Sequence, residues 1–434
     1  MACGTIGRPG GRYAVVDCGQ LDVDRGGLRV LTRAHSSSSA AGASLVEQAV
    51  EHWKFDGSAR LSRVTSRAAP AQQDDRSGLE SREPGLRSTE GILSTLSISA
   101  ELPISVGSSG RDETVRIAGR DLSVSPVFDT YWRFAAARQA VYEARLRGRA
   151  APWTDDEILL KHRFTNCYRA ADRVSQFLIQ HVIYQGDQQA EELMFRTLLF
   201  KFFNRISTWK LLKDSLPALT LDNFDLNLYD EILTDAFAQG RKLYSAAYVV
   251  PPPRLGALRK HTNHLRLLTQ MLDDDLANRL TKAGSMSEAF DLLRSYPAMG
   301  DFLAFQFLID LNYSELLNFD EMEFVVAGPG ARDGIRKVFG PHASGIEAEV
   351  IEYMAETQGA HFDRLGLRFD GLRGRPLQLI DCQNLFCEVD KYSRIAHPEV
   401  AGLSGRTRIK QRFTTQPEPL TAWFPPKWKL SASA

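Results

Sequence analysis

The hydrophobic and polar pattern of the chain changes character near residue 126. Before that point Gly, Ser, Ala and Arg dominate, Ser36-Ser37-Ser38-Ser39 forms a polar tract, and no apolar period is sustained. Residues 1–125 are therefore expected to be largely disordered and of low complexity. Within them, Ser44–Phe55 (SLVEQAVEHWKF) has the pattern of a short amphipathic helix and Ile92–Val106 is weakly apolar. From Val127 the helical period takes over. Phe128–Arg147, rich in Ala, Arg and Glu, predicts a first helix that Gly148 can end. Thr154 with Glu157 three residues on predicts a capping box for the next. Over His162–Tyr184, Cys167, Ala171, Val174, Leu178 and Val182 recur as a core face, while Asn166, Arg169, Arg173, Gln176 and Gln180 form a polar stripe. Glu191–Asp214 is apolar almost all round and belongs in the middle of the domain. Further helices are predicted over Leu228–Arg241, Arg254–Leu272, Ser287–Arg294, Ala298–Leu311, Ala343–Gln358 and Leu377–Ile395. Residues 126–413 thus read as one all-α domain, and 414–434 as an irregular tail with Pro and Trp.

Composition narrows the partners. Lys plus Arg and Asp plus Glu are both 53, so no global field recruits nucleic acid, and any DNA binding would have to use a local patch rather than bulk charge. The cysteines (Cys3, Cys18, Cys167, Cys382, Cys387) are scattered without a CxxC, which fits a reducing compartment and no zinc or iron–sulfur site. No metal or cofactor is expected. No apolar run approaches the ~20 residues of a membrane span. The expectation is an intracellular, soluble protein, cytoplasmic or nuclear; Arg8 and Arg12 leave organelle import open. The sequence contains no GxxxxGK[ST] phosphate loop, no GxGxxG after a strand, no HExxH and no GxSxG.

Three stretches carry candidate chemistry. Phe324–Phe339 (FVVAGPGARDGIRKVF) is an apolar run, a Gly-Pro-Gly turn and an amphipathic segment. Gly328 and Gly330 suit positive φ or close approach to a ligand, and free N–H groups at the following helix start, around Arg332, suit a phosphate. Gly334 leaves room for two helices to pack tightly. The pattern looks like a helix-hairpin-helix, a clamp for the DNA backbone; the bland alternative is a glycine turn between core helices. The second stretch is Arg163, Asn166, Arg169 and Arg173. The third is Asp381, Asn384, Glu388 and Lys391, which share one face at helical spacing. Two carboxylates, an amide and an ammonium there could polarise a base or a water. A buried ion-pair lattice joining Arg169 or Arg173 to Asp381 or Glu388 explains the same residues. His261 and His264 read as a solvated face or a phosphate contact, and Asp273-Asp274-Asp275 as an acidic helix end.

Five segments of the chain together resemble one family, in the same order: FDTYWRFAAARQ, PWTDDEIL, RFTNCYRAADRVSQFLI, VVAGPGARDGIRKVF and LIDCQNLFCEVDKY. It is the helical domain of 5-hydroxymethyluracil DNA kinases and of the related α-glutamyl/putrescinyl thymine pyrophosphorylases, and the resemblance covers about 127–412. It implies a DNA-glycosylase-like helical fold and a role in hypermodified thymine or uracil in DNA. Without a phosphate loop the kinase activity is not carried over; a transferase that displaces pyrophosphate from the base with an amine is the chemistry implied. Lyase-type glycosylases place a Lys just after the hairpin glycines, where this chain has Arg332, so base excision is disfavoured. Asp381, Glu388 and Lys391 become the candidate catalytic groups. Arg163, Asn166, Arg169, Arg173, Asn384, Gly328, Gly330 and Arg332 become the candidate DNA contacts. The rival expectation is a non-catalytic DNA-binding or scaffolding module.

Overall fold

The computed structural model describes residues 17–24, 27–33, 53–55, 61–63, 114–246, 250–415 and 420–430. The chain divides into two compact units, Met1–Pro103 and Ile104–Ala434. In the first, β1 (Asp17–Asp24) pairs antiparallel with β2 (Gly27–Arg33), and β3 (Trp53–Phe55) with β4 (Leu61–Arg63). Of the helix expected over Ser44–Phe55 only the last three residues are described, and they are strand; the rest, and Ile92–Val106, lie outside the described residues.

The second unit is almost entirely helical. It starts earlier than the sequence pattern marks: β5 (Thr114–Ile117) and β6 (Arg120–Ser123) form a hairpin that buries Ile117 and Leu122. Then follow α1 (Val127–Leu146), α2 (Glu157–Lys161), α3 (Arg173–Leu178), α4 (Ala190–Phe203), α5 (Ile206–Ser215), α6 (Leu226–Ala238) and α7 (Lys260–Asp273). Next are α8 (Leu276–Thr281), α9 (Met286–Arg294), α10 (Asp301–Asn312), α11 (Pro329–Phe339), α12 (Glu347–Arg364) and α13 (Leu379–Ala396). They pack as two groups. In one, α4 and α10 are buried nearly all round, as apolar runs without a polar face must be, with α7, α8 and α9 around them. In the other, α13 is wrapped by α1, α11 and α12.

Caps and breaks depart from the simple period at readable places. Asp156, not Thr154, caps α2, accepting from the Ile158 and Leu159 N–H groups, and Ser285, not Ser287, caps α9. The apolar run Glu191–Asp214 is two helices, because Asn204 takes the left-handed conformation at φ 48°. His261 and His264 are buried rather than solvated: His261 meets Thr234 Oγ1 at 3.0 Å, and His264 meets the Tyr244 hydroxyl at 2.9 Å. Burial lowers the His264 pKa to about 4.

Of the helix-hairpin-helix expected over Phe324–Phe339 only the second helix, α11, forms. The preceding helix ends at Asn312, and the apolar run reaches Gly328 as irregular backbone. Phe324 fills a gap between Phe290 and Phe305, at ring separations of 5.0 and 6.0 Å, so the run is core filling rather than a helix end. Pro329 opens α11 at its first position. Neither Gly328 nor Gly330 takes positive φ. What the glycines permit is close approach: a Cβ on Gly328 would lie 2.5 Å from the Phe302 ring, and one on Gly334 would lie 2.1 Å from the Phe386 carbonyl oxygen. The tight helix packing expected from Gly334 is thus the crossing of α11 with α13.

The segment after α13 has little regular structure, yet it packs. Phe424 is buried, Trp428 meets Tyr313 with ring centroids 5.6 Å apart, and Lys427 donates to the Ser314 and Leu317 carbonyls. Among the described residues no helix is long and apolar enough to cross a membrane.

Candidate functional site

The helix predicted over His162–Tyr184 is only half formed, and the missing half builds the site. Residues 163–168 are irregular, a 3-10 turn covers Arg169–Ala171, and α3 runs into one π-helical turn over Ile179–Ile183. Side chains replace the helical ladder. Asp172 accepts from the Asn166 N–H at 2.8 Å, and the Asn166 amide donates to the Ala171 carbonyl at 2.7 Å. Arg138 of α1 donates to the Thr165 carbonyl at 2.9 Å and to Asn166 Oδ1 at 2.5 Å.

The polar face of α13 grips the same loop. Asp381 Oδ1 accepts the Arg169 N–H at 2.8 Å, and Glu388 Oε2 accepts the Thr165 N–H at 3.0 Å. Asn384 donates to Thr165 Oγ1 at 3.1 Å and to the Asn166 carbonyl at 3.2 Å. One helix face thus satisfies a run of buried loop backbone that has no ladder of its own. Lys391 pairs with Glu388 at 2.6 Å, with its ammonium 4.5 Å from the centre of the Phe164 ring.

Arg169 does not use its guanidinium on Asp381 or Glu388. It reaches across to α10, with Nη1 2.6 Å from Asp310 Oδ1, Nε 2.9 Å from Gln306 Oε1 and Nη1 3.2 Å from the Tyr313 hydroxyl. Lys201 of α4 holds the other Asp310 oxygen at 2.5 Å. All three ions are buried. Burial alone would raise the Asp310 pKa, but Arg169 and Lys201 hold it below the ordinary carboxylate value, while burial brings Lys201 down to about 8. The pairing anticipated from the sequence, Arg169 or Arg173 with Asp381 or Glu388, does not form; the buried lattice here joins Arg169 and Lys201 to Asp310. Arg169 ties the two helix groups together, side chain to α10 and backbone to α13.

Two clefts flank this loop. One, of about 520 Å³, has Lys201, Asp310 and Arg169 in its lining, with Arg163, Arg173, Glu388 and Lys391. The Arg163 and Arg173 side chains are exposed. The other, of about 500 Å³, shares Arg163 and Arg173 and adds Arg138, Arg145, Asn166 and His181. The structure therefore brings Arg163, Arg169 and Arg173 together with Glu388 and Lys391 around one cavity. Asp381 and Asn384 lie beneath it as loop supports, and Gly328, Gly330 and Arg332 belong to a different surface, the start of α11. Arg138 is a site residue that the sequence reading missed. The signal was available: it sits on the buried stripe Tyr131, Ala135, Arg138, Tyr142 of α1, where a guanidinium is out of place. Among the described residues no group of His, Cys, Asp and Glu is placed to hold a metal ion.

Asp381 carries a pH-dependent load. Burial first, then the negative field of Glu321, raises its pKa to about 7, against ~3.9 in an unfolded chain. Between about pH 4 and 7 the folded state holds the extra proton, so this residue's contribution to stability is complete below pH 4 and is lost as pH rises through 7, by up to roughly 4 kcal/mol. Asp381→Asn keeps an acceptor for Arg169 N–H and should make urea midpoints vary less between pH 4.5 and 7.5. An unchanged slope would place the titration elsewhere.

No solved structure matches the chain. A 5-hmdU DNA kinase of Bacillus phage SP10 is 25% identical over 303 residues, covering 65% of this chain and 47% of that protein. The chain therefore spans about half the length of this curated relative. Residues 125–402 match the family described as the helical domain of 5-hmdU DNA kinase. That span takes in α1, the irregular loop, the Arg169 lattice and the α11–α13 crossing, and the chain belongs to this 5-hmdU DNA kinase helical-domain family.

Proposed function

We propose that the helical domain binds DNA and seats a 5-hydroxymethyluracil-derived base in the cleft between the irregular loop and α13. The observation that carries the reading is the gathering of Arg163, Arg173, Glu388 and Lys391 around a 520 Å³ cavity, a volume within the ~300–1,000 Å³ range of small-molecule sites. An extruded pyrimidine needs polar groups for its edge and an apolar face to lie on; Lys391 and Glu388, which pair with each other at 2.6 Å and would exchange that contact for the base, and Phe164 would supply these. Displacing pyrophosphate from such a base requires cations on the leaving group and an acceptor for the proton of the incoming amine. Arg163 and Arg173 fit the first role and Glu388 the second. With no GxxxxGK[ST] loop in this chain, the reading is a base-modifying transferase rather than a kinase. A DNA-glycosylase-like ancestry fits a domain that holds a base out of the helix.

Strand phosphates have two candidate seats. One is the start of α11, where Arg332 is exposed and Gly330 half-buried. The other is the segment after α13, where Arg408, Lys410 and Arg412 are exposed on either side of buried Ile409. Net neutrality of the chain makes such local cations necessary.

A second reading, a DNA-binding module without chemistry, is favoured by one observation: Asp381, Asn384 and Glu388 are all engaged with loop backbone. Binding of short DNA carrying thymine, 5-hydroxymethyluracil or its pyrophosphate, at two salt concentrations, separates the two. The base-seating reading expects at least a tenfold preference for a modified base, lost in Glu388→Gln while salt-sensitive affinity for DNA remains. Equal binding of all three bases would leave only the backbone-binding module, and no binding would remove DNA from the account.

A further inference from the structure

Arginines that lose contact with water are normally matched by a carboxylate. Arg138 and Arg145 of α1 are not. Arg138 is 8% exposed, its hydrogen bonds go to the neutral oxygens of Thr165 and Asn166, and its Nη1 is buried with no hydrogen-bond partner. Arg145 is half-buried, with its guanidinium 5.1 Å from the centre of the Trp153 ring. Neither forms an ion pair among the described residues. Burial lowers the pKa of both, and for Arg138 it outweighs the opposing fields of Asp172 and Glu388.

Both line the 500 Å³ cleft beside the base cavity, together with Arg163, Arg173 and His181. Asp172 is its only carboxylate among the described residues, and Asp172 is held by the Asn166 N–H. A concave surface with four guanidiniums and one acid is charged for a multivalent anion. The planar forks of arginine match the oxygens of a phosphoryl group.

We infer that this cleft is a phosphoryl-anion site, in which Arg138, Arg145, Arg163 and Arg173 hold a pyrophosphate or phosphate group. The inference deepens the reading above by giving the phosphoryl group a seat separate from the base, and rests on that reading only for the source of the group. That source is either a free or base-linked pyrophosphate or a phosphate of the DNA strand; both present the same oxygens.

The test uses the full chain and inorganic pyrophosphate, with titration calorimetry and thermal melting against sodium chloride of matched ionic strength. Saturable binding is expected, weakened at least tenfold in Arg145→Gln/Arg173→Gln. Asp172→Asn, which keeps an acceptor for Asn166 N–H and removes the one acid, should bind more tightly, a gain that partial unfolding cannot produce. Competition between pyrophosphate and unmodified DNA would assign the seat to a strand phosphate; additive binding would assign it to pyrophosphate. Failure of pyrophosphate to bind, or binding indifferent to both the arginine and the Asp172 variants, overturns the site. Indifference of DNA binding to base identity would instead overturn the base-seating reading and leave this site standing.

Discussion

Gly334→Ala is expected to destabilise the helical domain by about 3 kcal/mol or more, the upper end of what one added methyl does. The methyl carbon would sit 2.1 Å from the carbonyl oxygen of Phe386 and 2.8 Å from its carbon. Both are backbone atoms in the middle of α13, so no side-chain rotation relieves the overlap and the two helices must separate. Separation strains more than the contact itself. Lys337 reaches from α11 into α13, 3.2 Å from Asp390 Oδ1 and 3.1 Å from Ser393 Oγ, and all three residues are buried. Pulling that ammonium away leaves a buried charge poorly matched. Two other glycines calibrate the measurement. Gly330→Ala meets the Cys387 sulfur at 3.0 Å, a side-chain atom that can give, and should cost less. Gly359→Ala, on the exposed side of α12 with nothing within 4 Å, should stabilise by about 0.4–1 kcal/mol. Denaturant midpoints of the three variants check the order; a Gly334→Ala protein as stable as its parent would mean that α11 and α13 are not in contact as described.

The same glycines show what could be read from the sequence and what could not. Glycines six residues apart, entering an amphipathic helix, mark a surface that another backbone approaches, and that much was legible. Whether the visitor is a DNA phosphate or a second helix depends on what α13 presents at Phe386 and Cys387, more than fifty positions later in the chain, and no local pattern contains it. The stripe on α13 behaves likewise. Its spacing placed Asp381, Asn384 and Glu388 on one face, as found. Their partners are backbone N–H and C=O groups of residues 165–169, which become available only because Asp172 and Asn166 stop a helix that the apolar period favours. Hydrophobic periodicity reports which face is buried; it does not report that a short polar side chain has taken over the backbone's hydrogen bonds. A buried ion-pair lattice was anticipated between other partners, and the anion found, Asp310, was hidden inside the apolar run of α10, where a carboxylate is tolerated only because Arg169 and Lys201 meet it there.

That lattice decides how a loss of function at Arg169 should be interpreted. Arg169→Ala is expected to lower stability by about 3–5 kcal/mol, because it leaves Asp310 and Lys201 buried with a charge balance built for three ions. It also removes the hydrogen bonds to Gln306 and Tyr313, and with them a side chain that spans from the loop to α10. The backbone bond from Arg169 N–H to Asp381 survives the substitution, so the loop keeps its hold on α13 while losing its hold on α10. Asp310→Ala should be comparably severe, and the double variant should cost clearly less than the sum of the two, since the second change removes a charge that the first has already stranded. Circular dichroism and urea midpoints of the three proteins give the coupling directly. A catalytic Arg169 would show the opposite pattern: a stable single variant without turnover, and costs that add. Under the coupling expected here, inactivity of Arg169→Ala reports a broken frame, and the chemistry of the cleft has to be probed at the exposed Arg163 and Arg173 instead.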